Sequence, residues 1–205
     1  MARPVNADAA ATRQRILSSA LGLFSEHGLA GVSIRQIASA SRVSLAMVHH
    51  YYGSKDDLHE ACIDSMYDEL EDLRHELSAG LGDAANLSEV IDGAIRTTFR
   101  FARSHQVAAR LLLQQVVASG QLDERRRKRF QEPFLDTTTR ALSKLLGRPA
   151  KTLRLPLQSI VFLTARYGIS ADDELELFTG KKGSAAARAA EDHLIATARA
   201  VLLEA

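Results

Sequence analysis

Residues 33 to 59 restrict the fold more than any other stretch, because three helix starts are written into them in close succession. Ser33 and Gln36 form a capping-box pattern, in which the hydroxyl accepts an orphan backbone N–H and the Gln36 side chain reaches back to the cap. A helix is therefore predicted from Ile34, with Ile37 and Ala38 on its apolar face. Ser39, Ala40, Ser41 and Arg42 are small and polar residues that a turn tolerates, and Ser44 caps a second helix. Within that helix Val43, Val48 and Tyr52 fall at inward spacings, which leaves Leu45, Ala46, Met47, His49, His50 and Tyr51 for the exposed face and its borders. Ser54 and Asp57 repeat the capping box and open a third helix at Lys55, with Asp56 and Asp57 in the first turn, where the helix dipole favours negative charge. Two short helices joined by a tight turn make a helix-turn-helix, and double-stranded DNA is the first partner this implies.

The stretch from Thr12 to about Ala61 resembles the DNA-binding domain of the tetracycline-repressor (TetR) family of bacterial regulators. The resemblance is carried by Ile16, Leu17, Ala20, Leu23, Phe24 and Gly28 on a first helix. Ile37-Ala38, Arg42-Val43-Ser44, His49-His50-Tyr51-Tyr52 and Ser54-Lys55-Asp56-Asp57-Leu58 follow in the family's order and spacing. Three positions depart from the pattern. Arg42 stands where many relatives have Gly, His49 where a phosphate-contacting Tyr is usual, and Met47 where a small hydroxyl residue is common. A left-handed backbone at Arg42 would cost on the order of 1 kcal/mol.

A recognition helix enters the major groove with its N-terminal residues nearest the base edges, which here are Leu45, Ala46 and Met47. None of them makes bidentate hydrogen bonds, so thymine methyl contact is the readout they allow. Arg35, on the preceding helix, is the nearby side chain able to fork onto guanine O6 and N7. Lys55 at a helix N-terminus is expected to clamp a phosphate, with Ser44, His49 and Tyr51 adding phosphate contacts and His50 completing the DNA-facing set. Adjacent His49 and His50 diverge by roughly a quarter turn of helix, so a shared metal is not expected, and no cofactor is implied.

Charge placement agrees. From residue 1 to 55 there are six Lys/Arg against Asp8 and Glu26, a net +4, while the rest of the chain carries a net −3. A basic head suits phosphate contact with strong salt dependence. Residues 1–8 are expected to form a flexible arm, from which Arg3 would reach the minor groove if ordered. The single cysteine, Cys62, excludes an intrachain disulfide framework and is expected to pack in a helix. No signal-peptide core and no uncharged apolar run of roughly 20 residues is present, which implies a cytoplasmic chain with no membrane partner.

Beyond the head, helical periodicity dominates and the fold class is all-α, with a helix-turn-helix domain over 1–54 and a helical domain over 55–205 that the TetR resemblance implies is an effector-binding and dimerisation domain. Helices are predicted over 55–81, 88–104, 105–119, 123–146, 151–169 and 185–203, separated by Gly-, Pro- or Asn-containing turns. The first of these runs from the DNA end into the body and would join the two domains mechanically. Leu157, Ile160, Val161 and Thr164 line one of the last two helices, and Leu194, Ala198 and Val201 the other. The TetR resemblance implies that such a pair forms a four-helix dimer interface. A dimer would set two recognition helices roughly 34 Å apart and demand a palindromic operator. The middle helices would enclose a small-molecule effector, with Phe99, Leu113, Phe134, Phe162 and Tyr167 as apolar lining and Arg103, Arg110, Gln114, Thr138 and Arg166 as polar groups.

Two apparent motifs carry nothing. Gly147-Arg148-Pro149-Ala150-Lys151-Thr152 has the wrong spacing for a phosphate loop, and Arg125 to Arg129 reads as a solvated helix face offset by Asp123 and Glu124. The expected function is a ligand-released DNA-binding regulator, most often a repressor in this family. A protein-binding adaptor built on the same helices, or a helical enzyme, are the alternatives. The enzyme lacks any nucleophile and base set, paired carboxylates or metal-spaced ligands, and the adaptor would be recognised by capture of a protein without a DNA shift.

Overall fold

The computed structural model describes residues 5–80 and 86–203, all of whose regular elements are helical. In chain order they are α1 (Val5–His27), α2 (Ile34–Ser41), α3 (Leu45–Tyr52), α4 (Lys55–Gly80), α5 (Leu87–Ser104), α6 (Gln106–Ser119), α7 (Glu124–Arg126), α8 (Glu132–Leu146), α9 (Arg154–Gly168), α10 (Asp172–Thr179) and α11 (Ser184–Leu203). No described helix is long and apolar enough to cross a membrane. Of the arm expected over residues 1–8, residues 1–4, Arg3 among them, lie outside the described residues, and residues 5–8 belong to α1.

The predicted helix over 123–146 is broken into three pieces. α7 passes through a π-helical turn, Arg127–Gln131, into α8, whose first turn holds Pro133. Proline has no N–H to give the carbonyl four residues back and its ring crowds that carbonyl, so widening the turn relieves the clash. The predicted helix over 151–169 likewise begins as a 3-10 turn, Ala150–Leu153, before α9. α10 is an addition. Its signals are Asp172, Asp173 and Glu174 in the first turn and left-handed Gly180 just past the end.

The chain folds as two compact units, Met1–Glu69 with Val107–Gly120, and Leu70–Gln106 with Gln121–Ala205. The division expected at residue 54 follows the motif, whereas the first unit follows the packing and takes in the start of α4 and most of α6. Ile16, Ala20 and Phe24 on α1 recur every four residues and are wholly buried, as are Ile37, Val48, Leu58 and Ile63. Each of the larger of these side chains contributes about 1.5–3 kcal/mol of hydrophobic stabilisation. Tyr52 ties α3 to α1: its hydroxyl donates to the Arg13 carbonyl at 2.9 Å, and the Arg13 guanidinium lies over its ring. Burial raises the Tyr52 phenol above its ordinary value, so it stays a donor. Cys62 is buried on α4, and that burial pushes its thiol up to about 12, leaving an unreactive packing residue.

In the second unit Ile91, Ile95 and Phe99 on α5 meet Ile160, Leu175, Leu194 and Ala198 in one core. The edges of the α5–α11 contact are ion-paired. Arg199 donates twice to Asp92, both at 2.7 Å, and Arg100 donates twice to Glu191, both at 3.1 Å. Gly168 is required where α9 crosses α5, because a Cβ there would stand 2.4 Å from the Ala102 Cβ.

The loop between α1 and α2 is held by Lys55. Its ammonium donates to the Leu29 carbonyl at 2.9 Å and the Val32 carbonyl at 3.0 Å. Replacing Lys55 with Met keeps the aliphatic stem and removes both bonds, so the chain should lose about 2 kcal/mol of stability. A chemical denaturation midpoint equal to that of the unaltered chain would show that the tie holds nothing.

Candidate nucleic-acid interface

The local chemistry of the helix-turn-helix is fixed by three caps. Ser33 Oγ accepts the Gln36 N–H at 3.3 Å while Gln36 Oε1 accepts the Ser33 N–H at 2.7 Å, the reciprocal capping box. Ser44 Oγ accepts the Met47 N–H at 3.2 Å, which starts α3 and leaves the hydroxyl proton free to donate outward. At α4, Ser54 Oγ accepts the Asp57 N–H at 3.0 Å and Asp57 Oδ2 accepts the Ser54 N–H at 3.0 Å. The Ser54 hydroxyl, which donates to Asp57 Oδ2 at 2.7 Å, and the Ser54 backbone N–H together hold the Asp57 carboxyl below the ordinary Asp range. Gly53 must precede this cap, since its φ is +74° and a Cβ there would approach the Asp57 carboxylate to 2.9 Å.

The turn between α2 and α3 is a Schellman motif. The Val43 N–H donates to the Ala38 carbonyl at 3.0 Å and the Arg42 N–H to the Ser39 carbonyl at 3.1 Å, with Arg42 left-handed at φ 55°, ψ 46°. The tightening of this turn sets α3 against α2. Val48 and Tyr52 are then buried, while Leu45, Ala46, Met47, His49 and His50 are exposed and Tyr51 is half-buried with its ring edge-on to His50. Leu45 and Met47 are apolar side chains left 39% and 36% exposed at the start of α3. An apolar surface of this kind at a helix N-terminus is suited to contact with methyl groups.

The polar candidates divide into those that project outward and those that are engaged. Arg35 is exposed on α2 and makes no ion pair or hydrogen bond among the described residues. His49 places Nδ1 2.8 Å from the Gly53 carbonyl, and because a carbonyl only accepts, that nitrogen carries the proton. Its Nε2 is left outward, an acceptor in the neutral ring and a phosphate donor only in the imidazolium. Lys55 is part engaged: two of its three ammonium N–H groups are spent on the Leu29 and Val32 carbonyls as a structural tie. What it retains for an anion is the third N–H and the first-turn backbone of α4.

The residues expected to line an effector pocket are shared between the two units. In the first, Arg110 and Leu113 are half-buried, and Gln114 is exposed and donates to the Ser25 carbonyl at 3.2 Å. In the second, Phe99 is core, Phe134, Thr138 and Tyr167 are half-buried, and Phe162 is 50% exposed. Two arginines are already satisfied. Arg103 binds the Ser170 carbonyl and the Asp172 carboxylate, and Arg166 donates to both Glu174 oxygens, at 3.1 and 2.7 Å. Both hold the acidic first turn of α10, and Arg166 and Phe162 are exposed.

The residues expected at a dimer interface also need correcting. Leu157, Ile160, Thr164, Leu194 and Ala198 are buried within one protomer, and Val161 and Val201 are half-buried. The apolar residues that α9 leaves exposed are Leu155 and Phe162, seven residues apart and so on the face opposite Ile160. α10 adds exposed Leu177 and Phe178. Among the described residues no three His, Cys, Asp or Glu side chains gather to hold a metal ion.

Residues 16–62 match the family of bacterial regulatory proteins described as the tetR family. The chain is 35% identical over 88 residues to the transcriptional regulator BetI of Rhizobium meliloti, covering 43% of this chain and 42% of that one. It is 32% identical over 137 residues to the transcriptional regulatory protein RaaS of Mycobacterium tuberculosis, covering 62% and 63%. The alignments therefore span less than two thirds of these curated relatives. In fold it is similar to AibR, solved in complex with isovaleryl coenzyme A and operator DNA, with a TM-score of 0.66 at 18% identity over 90% of this chain and 96% of that one. The matched stretch contains α2, the left-handed turn, α3 and the cap of α4, so it is the helix-turn-helix part of the chain that is similar to the tetR family of bacterial regulatory proteins.

Proposed function

We propose that the chain is a DNA-binding transcriptional regulator, not an enzyme, acting in the cytoplasm as a homodimer on a palindromic operator and repressing until a small molecule releases it. The observation that carries this is the exposure of Leu45, Ala46 and Met47 at the capped start of α3, with unengaged Arg35 beside them on α2. In a major groove the apolar trio reads thymine methyl groups and Arg35 forks onto a guanine. Ser44, Tyr51 and the outward face of His49 contact phosphates, and His50 lies on the same exposed surface. The flanking domain, 55–205, takes the dimerisation and effector roles.

For the dimer we assign the exposed faces of α9 and α11 in place of their buried ones. Leu155 and Phe162 supply apolar area, and Ala196 and Ala200, exposed four residues apart, allow close helix approach. Such a pairing covers apolar side chains that otherwise face water. For the effector, support comes from the fold's likeness to AibR and from the half-buried Phe134 and Thr138 on α8. Release requires that the ligand prefer the conformation with the weaker grip on DNA, since equal affinity for both shifts nothing.

Arg35→Ala should weaken binding by about 1–3 kcal/mol at operators bearing its guanine and leave random duplex little affected. Competition binding between the two duplexes measures this, and a uniform loss would make Arg35 a phosphate contact. Phe162→Glu should convert the sedimenting species from dimer to monomer. Leu157, buried on the opposite face of the same helix, provides the contrast, and a Phe162→Glu chain that stays dimeric would place the interface elsewhere.

A further inference from the structure

Arg42 is the one residue other than glycine, among those described, whose backbone is left-handed. It occupies the position of a Schellman motif where glycine is favoured, because a Cβ there crowds the neighbouring carbonyl. A residue kept in an unfavourable conformation needs an offsetting gain. Folding does not supply one here: the Arg42 side chain is exposed and makes no hydrogen bond or ion pair among the described residues. Its two backbone bonds, to Ser39 and from Val43 to Ala38, would be made equally well by glycine.

The position suggests where the gain lies. Arg42 is seven residues beyond Arg35, about two helical turns and roughly 10 Å along α2. It stands in the turn between the helix that crosses a DNA backbone and the helix that enters the groove. A guanidinium there meets phosphodiester oxygens in fork geometry. Lys55, the cation that the motif puts forward for this task, has its ammonium committed to two carbonyls, while Arg42 has no such commitment.

We propose that Arg42 is a phosphate-contacting residue, and that its left-handed backbone is tolerated because the guanidinium neutralises one phosphate when the helix-turn-helix docks. The proposal rests on the DNA-binding reading above. It adds a sequence-independent contact, distinct from the base readout assigned to Arg35.

The test compares the full chain with Arg42→Gly and Arg42→Lys by fluorescence anisotropy over a salt series. The probes are a random-sequence duplex and a duplex selected by the unaltered chain, with thermal melts of each protein. Arg42→Gly should melt at the same or a higher temperature and weaken binding to both duplexes by the same factor. The slope of log affinity against log salt should become shallower by about one unit. Arg42→Lys should keep the slope. An unchanged slope in Arg42→Gly, a loss confined to the selected duplex, or a fall in melting temperature alongside the loss of affinity would each overturn the phosphate role. If the unaltered chain binds neither duplex, the DNA-binding reading itself fails, an outcome distinct from any of these.

Discussion

The left-handed turn at Arg42 is the constraint on which the interface depends. Its two backbone bonds end α2 and turn the chain within two residues, so that Ser44 is in place to cap α3. Were α2 to run on by another turn, Val48 and Tyr52 would lose their places in the core, and Leu45 and Met47 their exposure. The Tyr52 bond to the Arg13 carbonyl and the Lys55 bonds to the loop after α1 then hold the same arrangement from its other end. None of these interactions is large alone. They act in series on a helix of eight residues, too short to persist without tertiary support.

This part of the molecule was legible in the sequence because its signals are local. Ser33 with Gln36, and Ser54 with Asp57, are capping boxes three residues wide, and each is formed as the residue types imply. The inward and outward sides of α3 were legible for the same reason, since eight residues leave only one face to bury. What could not be read was the destination of long polar side chains. Lys55 reaches across to residues 26 and 23 positions earlier, and Arg103 to Asp172, 69 positions later. No periodicity in the chain marks those partners.

The body was legible as helices but not as surfaces. A stripe of Leu157, Ile160 and Thr164 has the same spacing whether it faces its own protomer or another, because both settings demand an apolar face of period 3.6. Burial resolves the ambiguity: that stripe is interior, and Leu155 and Phe162 are left for any second chain. α10 escaped prediction because eight residues rich in acids show little apolar period. It is held instead by Arg103 and Arg166, which clasp its first-turn carboxylates. Through those same pairs Arg103 and Arg166, expected as polar lining of an effector pocket, are already satisfied.

We infer that α3, a short capped helix with an apolar tip, reads DNA in pairs. Selecting bound duplexes from random DNA with the full chain tests it most directly. Such a pair should enrich a two-fold symmetric sequence whose half-sites are centred roughly one helical turn, or about 34 Å, apart. Within each half, thymines should face Leu45, Ala46 and Met47, and one guanine should face Arg35. Recovery of no enriched sequence, or of a single asymmetric site bound by one protomer, would contradict it.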